Sequence, residues 1–213
     1  MTAVKICGIT RREDAEFAAA LGASYVGFVL WTESPRAASL ETVRAITPTL
    51  PKTVTPVGVF VDPTADEVKA ATDAGIQMAQ IHSDVPSFLR GITIPVVRAV
   101  HLAIDRIDGV EPDIADELVL LDAHDPVKRG GTGQIVDWRR AAMIARSRRI
   151  FLAGGLTADN VRQAIDEVRP FAVDVASGVE SSPGVKNHDL VRAFIEAAHS
   201  GNKGTHGTSG TSK

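Results

Sequence analysis

The sequence predicts an α/β fold, a single-domain (β/α)8 barrel of the TIM type, and three observations predict it. Short β-branched runs alternate with helical patterns along almost the whole chain. Most of these runs are too apolar to have one wet face, as expected of parallel strands covered on both sides. Eight strand–helix units follow one another, roughly 20–30 residues apart, and no linker rich in Pro, Gly or Ser divides them. An open doubly wound sheet is the competing arrangement, and eight uninterrupted units favour closure.

The units read in order as follows. The strand "AVKICGI" (3–9) leads into "RREDAEFAAALGA", a helix that opens on acidic residues and ends at Gly22. The strand "YVGFVL" (25–30) precedes "SLETVRAIT", which Ser39 caps and which stops before Pro48. "TPVGVFV" (55–61) carries Pro56 near its start, where a missing N–H is tolerable. The helix "TADEVKAATDAG" then has Thr64 as its cap, Glu67 at the reciprocal position and Gly75 at its end. "IQMAQIH" (76–82) and "IPVVRAV" (94–100) are followed by weaker helical patterns, "DVPSFLR" and "LAIDRID". "ELVLLDA" (117–123) leads to "DWRRAAMIAR", and "RIFLAG" (149–154) to a helix running from Thr157 to the stop before Pro170. "FAVDVAS" (171–177) and "HDLVRAFIEAAHS" complete the eighth unit. The barrel is expected to occupy residues 1–200, with 201–213 a disordered tail of almost no apolar content.

Composition narrows the function classes. The chain has 213 residues, 44% hydrophobic and 23% charged, with a formal net charge of -3. No basic stripe suggests nucleic acid as a partner, and no run approaches the roughly 20 apolar residues that span a bilayer. A single cysteine excludes an internal disulfide framework and a Cys-rich metal site, and fits a reducing, cytoplasmic setting. Neither a P-loop nor a GxGxxG dinucleotide fingerprint is present. Monomer and homodimer are both left open.

In a barrel, chemistry gathers on the loops that follow the strands. Cys7, Arg36, His82, Arg98, Asp122, Gly154–Gly155 and Asp174–Gly178 all fall at or just beyond expected strand ends. Cys7 is either a small buried hydrophobe or a thiol placed beside cations that favour the thiolate. Asp122 closes the run "LVLLD", where a charge is costly to bury unless paired; it is a loop bridge or a carboxyl able to give a proton. Arg36 is a salt-bridge partner or a planar clamp for a carboxylate. His82 reads as a structural histidine, an acid–base group or, lacking companion ligands, least well as a metal ligand. "LAGGLTADN" and "VASGVESSPG" both set small residues between an apolar strand and the next helix, giving backbone N–H groups that can cradle a phosphate. "KRGGTG" marks either a flexible turn or a close backbone approach to a ligand.

The stretches "VKICGIT", "GFVLWTESPRAAS", "VGVFVDPT", "AQIHSD", "LLDAHDPVKRGGTG", "LAGGLTADNV" and "PFAVDVASGVESSPGVKNHDLV" occur in this order from Val4 to about Phe194. Together they closely resemble the phosphoribosylanthranilate isomerases of tryptophan biosynthesis. The resemblance implies a (β/α)8 barrel that opens the furanose ring of N-(5'-phosphoribosyl)anthranilate and completes an Amadori rearrangement. It implies Cys7 as general base, Asp122 as general acid and Arg36 as partner of the anthranilate carboxylate. By the same resemblance Gly154–Gly155 and Ser177–Gly178 hold the phosphate, Asp174 contacts the ligand, and no cofactor or metal is needed. Two positions depart from the family pattern: Ser83 stands where a glycine is frequent, and Arg98 where a lysine is common. The rival readings are a histidine-pathway or bifunctional sugar-phosphate isomerase, which would carry an aspartate in place of Cys7, and a catalytically idle barrel, which would have lost the acid or the base.

Overall fold

The computed structural model describes residues 1–82, 92–101, 118–122 and 138–200. Eight parallel strands close into a barrel in sequence order. They are β1 (Ala3–Cys7), β2 (Tyr25–Val29), β3 (Thr55–Val61), β4 (Met78–His82), β5 (Val96–His101), β6 (Leu118–Asp122), β7 (Ile150–Leu152) and β8 (Ala172–Val175). β8 pairs back onto β1, with Lys5 opposite Asp174. The competing open sheet is thereby ruled out.

Six helices are described: α1 (Arg12–Ala20), α2 (Leu40–Ile46), α3 (Ala65–Asp73), α4 (Trp138–Ala145), α5 (Val161–Val168) and α6 (His188–His199). The expected helices "DVPSFLR" and "LAIDRID", the "KRGGTG" loop, Ser83 and the tail lie outside the described residues. The caps of α2 and α3 follow the sequence reading. Ser39 Oγ accepts from the Thr42 N–H, and Thr64 and Glu67 form a reciprocal capping box. No described helix is long and apolar enough to cross a membrane.

Alternation along the strands sorts the core into two layers. Even-numbered residues of β1, such as Val4 and Ile6, join the larger cluster between sheet and helices with Phe28 and Phe194. Burying each such large side chain contributes about 1.5–3 kcal/mol. Ala3, Val57, Met78, Val97, Leu120 and Phe151 point the other way and fill the barrel interior.

Three features differ from the sequence expectation. First, α5 starts at Val161 rather than near Thr157. The Asn160 side chain accepts from the Thr157 N–H and donates to the Gly155 carbonyl, a local bonding pattern that replaces the first helical turn. Second, a short antiparallel hairpin, β9 (Glu180–Ser182) with β10 (Val185–Lys186), follows β8. Third, Arg98 lies in mid-strand between Val97 and Ala99, which both face the interior, so its side chain takes the opposite, outer face instead of joining the rim.

Candidate active site

The inward-facing residues change character along the strands. On β1 they run Ala3, Lys5, Cys7; on β4, Met78, Gln80, His82; on β6, Leu118, Leu120, Asp122; on β8, Ala172, Asp174. Each series begins apolar at the amino-terminal end and becomes polar toward the carboxyl-terminal end. A cavity of about 440 Å³ opens there, within the range of small-molecule sites. Cys7 and Asp122, from strands on different sides of the ring, both line it. Arg36, His82, Asp174 and the loops at Gly154–Gly155 and Ser177–Gly178 line it as well. The sequence-derived site residues therefore meet in one cavity. A larger depression, about 530 Å³, lies among Met1, Thr2, Pro170 and Phe171 at the opposite end of the barrel. That face of the fold serves stability rather than chemistry.

Cys7 is 7% exposed. Burial pushes its thiol above the ordinary range; the ammonium of Lys5 opposes that shift, and the carboxylate of Asp174 reinforces it. Lys5 is buried in the interior and donates to Gln80 Oε1 at 2.8 Å and to Asp174 Oδ2 at 2.9 Å. The Gln80 amide is thereby fixed, with its nitrogen 3.0 Å from His82 Nε2. An amide nitrogen can only donate, so the ring nitrogen accepts and the neutral imidazole carries its proton on Nδ1. Asp174 keeps Oδ1 buried without a hydrogen-bond partner among the described residues, and it lines the cavity. Burial holds the Asp174 carboxyl above the usual range, against the pull of Lys5 and with a contribution from the nearby Asp122 charge.

Arg36 is already engaged. Its Nε donates to both oxygens of Glu180 at 3.0 Å, and Nη2 to Oε2 at 2.8 Å. Lys186 Nζ and the Gly184 N–H also bond Glu180 Oε1, at 2.8 and 3.2 Å. Burial would raise the Glu180 carboxyl, but the bonds from Arg36 and Lys186 outweigh it and hold it below the usual carboxylate range. The hairpin thus locks one edge of the guanidinium, and Nη1 takes no part in that lock.

The two small-residue loops touch each other. A Cβ at Gly178 would strike the carbonyl oxygen of Leu156, so only glycine lets the loop after β8 pack on the loop after β7. Gly155 adopts φ +65°, and among the described residues a Cβ built there would meet nothing within 4 Å. No described side chain covers the backbone at that point. Lys5, Gln80, Glu180 and Lys186 were not singled out from sequence. For Lys5 and Gln80 a signal existed: each stands two residues before a rim residue, on the same side of its strand. Glu180 and Arg36 are 144 residues apart, and nothing local announces that pairing.

A closed parallel barrel with a thiol, carboxyls and glycine loops around a pocket at its carboxyl-terminal end is the architecture of an acid–base barrel enzyme. Residues 4–197 match the family model for N-(5'phosphoribosyl)anthranilate (PRA) isomerase. An N-(5'-phosphoribosyl)anthranilate isomerase from Geobacter sp. (strain M21) is 42% identical over 93% of this chain and 98% of its own. The crystal structure of phosphoribosyl anthranilate isomerase from Thermotoga maritima superposes with a TM-score of 0.85 at 40% identity, covering 93% of this chain and 98% of that one. A crystal structure of phosphoribosyl anthranilate isomerase in complex with reduced 1-(o-carboxyphenylamino)-1-deoxyribulose 5-phosphate gives 0.81 at 39%, with the same coverages. The chain belongs to the phosphoribosylanthranilate isomerase family.

Proposed function

We propose that the cavity binds N-(5'-phosphoribosyl)anthranilate and converts it to 1-(2-carboxyphenylamino)-1-deoxyribulose 5-phosphate, a step of tryptophan biosynthesis in the cytoplasm. The observation that carries the reading is the convergence of Cys7 and Asp122 on one cavity that also holds the two glycine loops. The phosphate docks on the backbone N–H groups near Gly155 and Gly178, and the other edge of the Arg36 guanidinium meets the anthranilate carboxylate. These remote contacts hold the ribose in register between acid and base.

The chemistry then follows from the two side chains. Asp122, protonated, gives its proton to the furanose oxygen as the C1–O bond breaks, and the nitrogen lone pair forms the iminium ion. That cation acidifies the C2 hydrogen, and the Cys7 thiolate removes it. The electron pair of the C2–H bond becomes the C1=C2 bond, which neutralises the nitrogen. The resulting enolamine ketonises as its 2-hydroxyl loses a proton and C1 gains one. Solvent exchange returns the proton on Cys7 to Asp122, so the enzyme ends as it began.

Adding phosphoribosylanthranilate and following anthranilate-type fluorescence tests the assignment. Loss of signal faster than spontaneous decay is expected, and no acceleration would sink it. The Arg36 contact has its own check. Glu180→Gln weakens the lock on the guanidinium, so KM should rise about tenfold, equivalent to about 1.4 kcal/mol of binding, with kcat within a few-fold of wild type. An unchanged KM would remove Arg36 orientation from the account.

A further inference from the structure

Lys5 is a buried cation that the mechanism above does not use. It is 1% exposed, on the strand that ends at Cys7. An ammonium has three N–H donors. One goes to Gln80 and one to Asp174, which leaves the third on the side chain that stands next to Cys7 on the inward face of β1. Gly27, paired with Cys7 across the sheet, makes room for this contact. A Cβ at Gly27 would lie 2.8 Å from Cys7 Sγ and 3.2 Å from Lys5 Cε. Thiol and ammonium stem therefore share the space that a side chain would otherwise fill.

A purely structural role explains this lysine poorly. Burying an ion pair is weak as a source of stability, and apolar residues of similar volume often do as well. The interior around it is otherwise built from Val57, Met78, Leu120 and Phe151. We infer that Lys5 is a positioning residue for the isomerisation: its ammonium, fixed by Gln80 and Asp174, supplies the local positive charge that lets Cys7 stand as a thiolate at the buried end of the cavity. The inference rests on Cys7 being the base. Other charges face the thiol too. Asp174 on β8 opposes the thiolate and Lys186 on β10 favours it. Asp122, His82 and Arg36 border the same cavity. Arg36 and Lys186 are both engaged by Glu180, whereas the Lys5 stem and the Cys7 sulfur border the same space above Gly27.

Because Cys7 is the only cysteine in the chain, iodoacetamide alkylation of the folded protein reads this one thiol. Lys5→Gln should move the alkylation midpoint to higher pH and slow alkylation near neutrality about tenfold, the equivalent of one pK unit. The acid limb of the kcat/KM profile should move in the same direction, since less thiolate is present at each pH. Lys5→Arg, which retains the charge, should restore part of both. A uniform loss of kcat with the alkylation midpoint unmoved would overturn the inference. If Lys5→Gln fails to fold, Lys5→Met, an apolar residue of similar volume, serves instead: it too should move the midpoint to higher pH, and no shift or a downward shift overturns the inference. The two readings fail separately. Full turnover by Cys7→Ala would overturn the base assignment beneath the inference. An inactive Cys7→Ala beside an unmoved Lys5→Gln midpoint would overturn the role of Lys5 alone.

Discussion

Cys7→Ala is expected to lose turnover by about 10²–10⁴-fold, the usual contribution of a positioned proton acceptor, while the barrel stays folded and still binds its ligand. The three parts of that expectation have separate physical causes. Turnover falls because no other group at the end of β1 can take the C2 proton: Ile6 faces the helix layer, and Lys5 is held as an ammonium. The fold persists because the substitution removes one sulfur from the wall of an open cavity and leaves the strand pairing of β1 untouched. Binding persists because the groups assigned to phosphate and carboxylate sit on other loops. Steady-state kinetics with a thermal-melt control measures all three, with ligand affinity taken from fluorescence titration. A rate close to wild type would take Cys7 out of the mechanism.

The sequence made the scaffold legible because closure and parallel pairing follow from local patterns: apolar runs, caps and breaks repeated eight times. It also exposed the ends of β1, β4 and β6, where an apolar run stops at Cys7, His82 and Asp122. Reading those strands as evenly apolar hid what lies one step deeper. Lys5 and Gln80 share the inward side with Cys7 and His82, and a charge inside "AVKIC" already broke the apolar rule. Arg98 misled in the opposite way. It lies near a strand end in the sequence, but an odd–even alternation turns it outward. The role of Glu180 was not legible at all, because its meaning comes from Arg36 and Lys186, which only the closed barrel and the hairpin bring to it. A helix boundary slipped for a smaller reason: the Asn160 side chain bonds back to the Thr157 N–H and the Gly155 carbonyl, which holds that segment out of the helix.

Asp122→Asn should cost a similar factor, about 10²–10⁴, but at a different step. Asparagine has nearly the same shape and can still donate a hydrogen bond, yet it has no proton acidic enough to release to the furanose oxygen. The C1–O bond must then break with an alkoxide as its leaving group, so ring opening becomes the slow event. Deprotonation at C2 by Cys7 is left intact. Substrate carrying deuterium at C2 separates the two roles. Where loss of the C2 proton limits the rate, the deuterated substrate reacts more slowly. In Asp122→Asn the residual rate should be nearly insensitive to the label, because the limiting step comes earlier and breaks no bond to C2. Asparagine is close to isosteric with the protonated carboxyl, and Asp122 is the last residue of β6 at the cavity wall. The variant is therefore expected to melt close to wild type, which leaves the rate loss attributable to the missing proton. A large isotope effect in Asp122→Asn would place its carboxyl in the C2 step, and the acid and base would have to be reassigned.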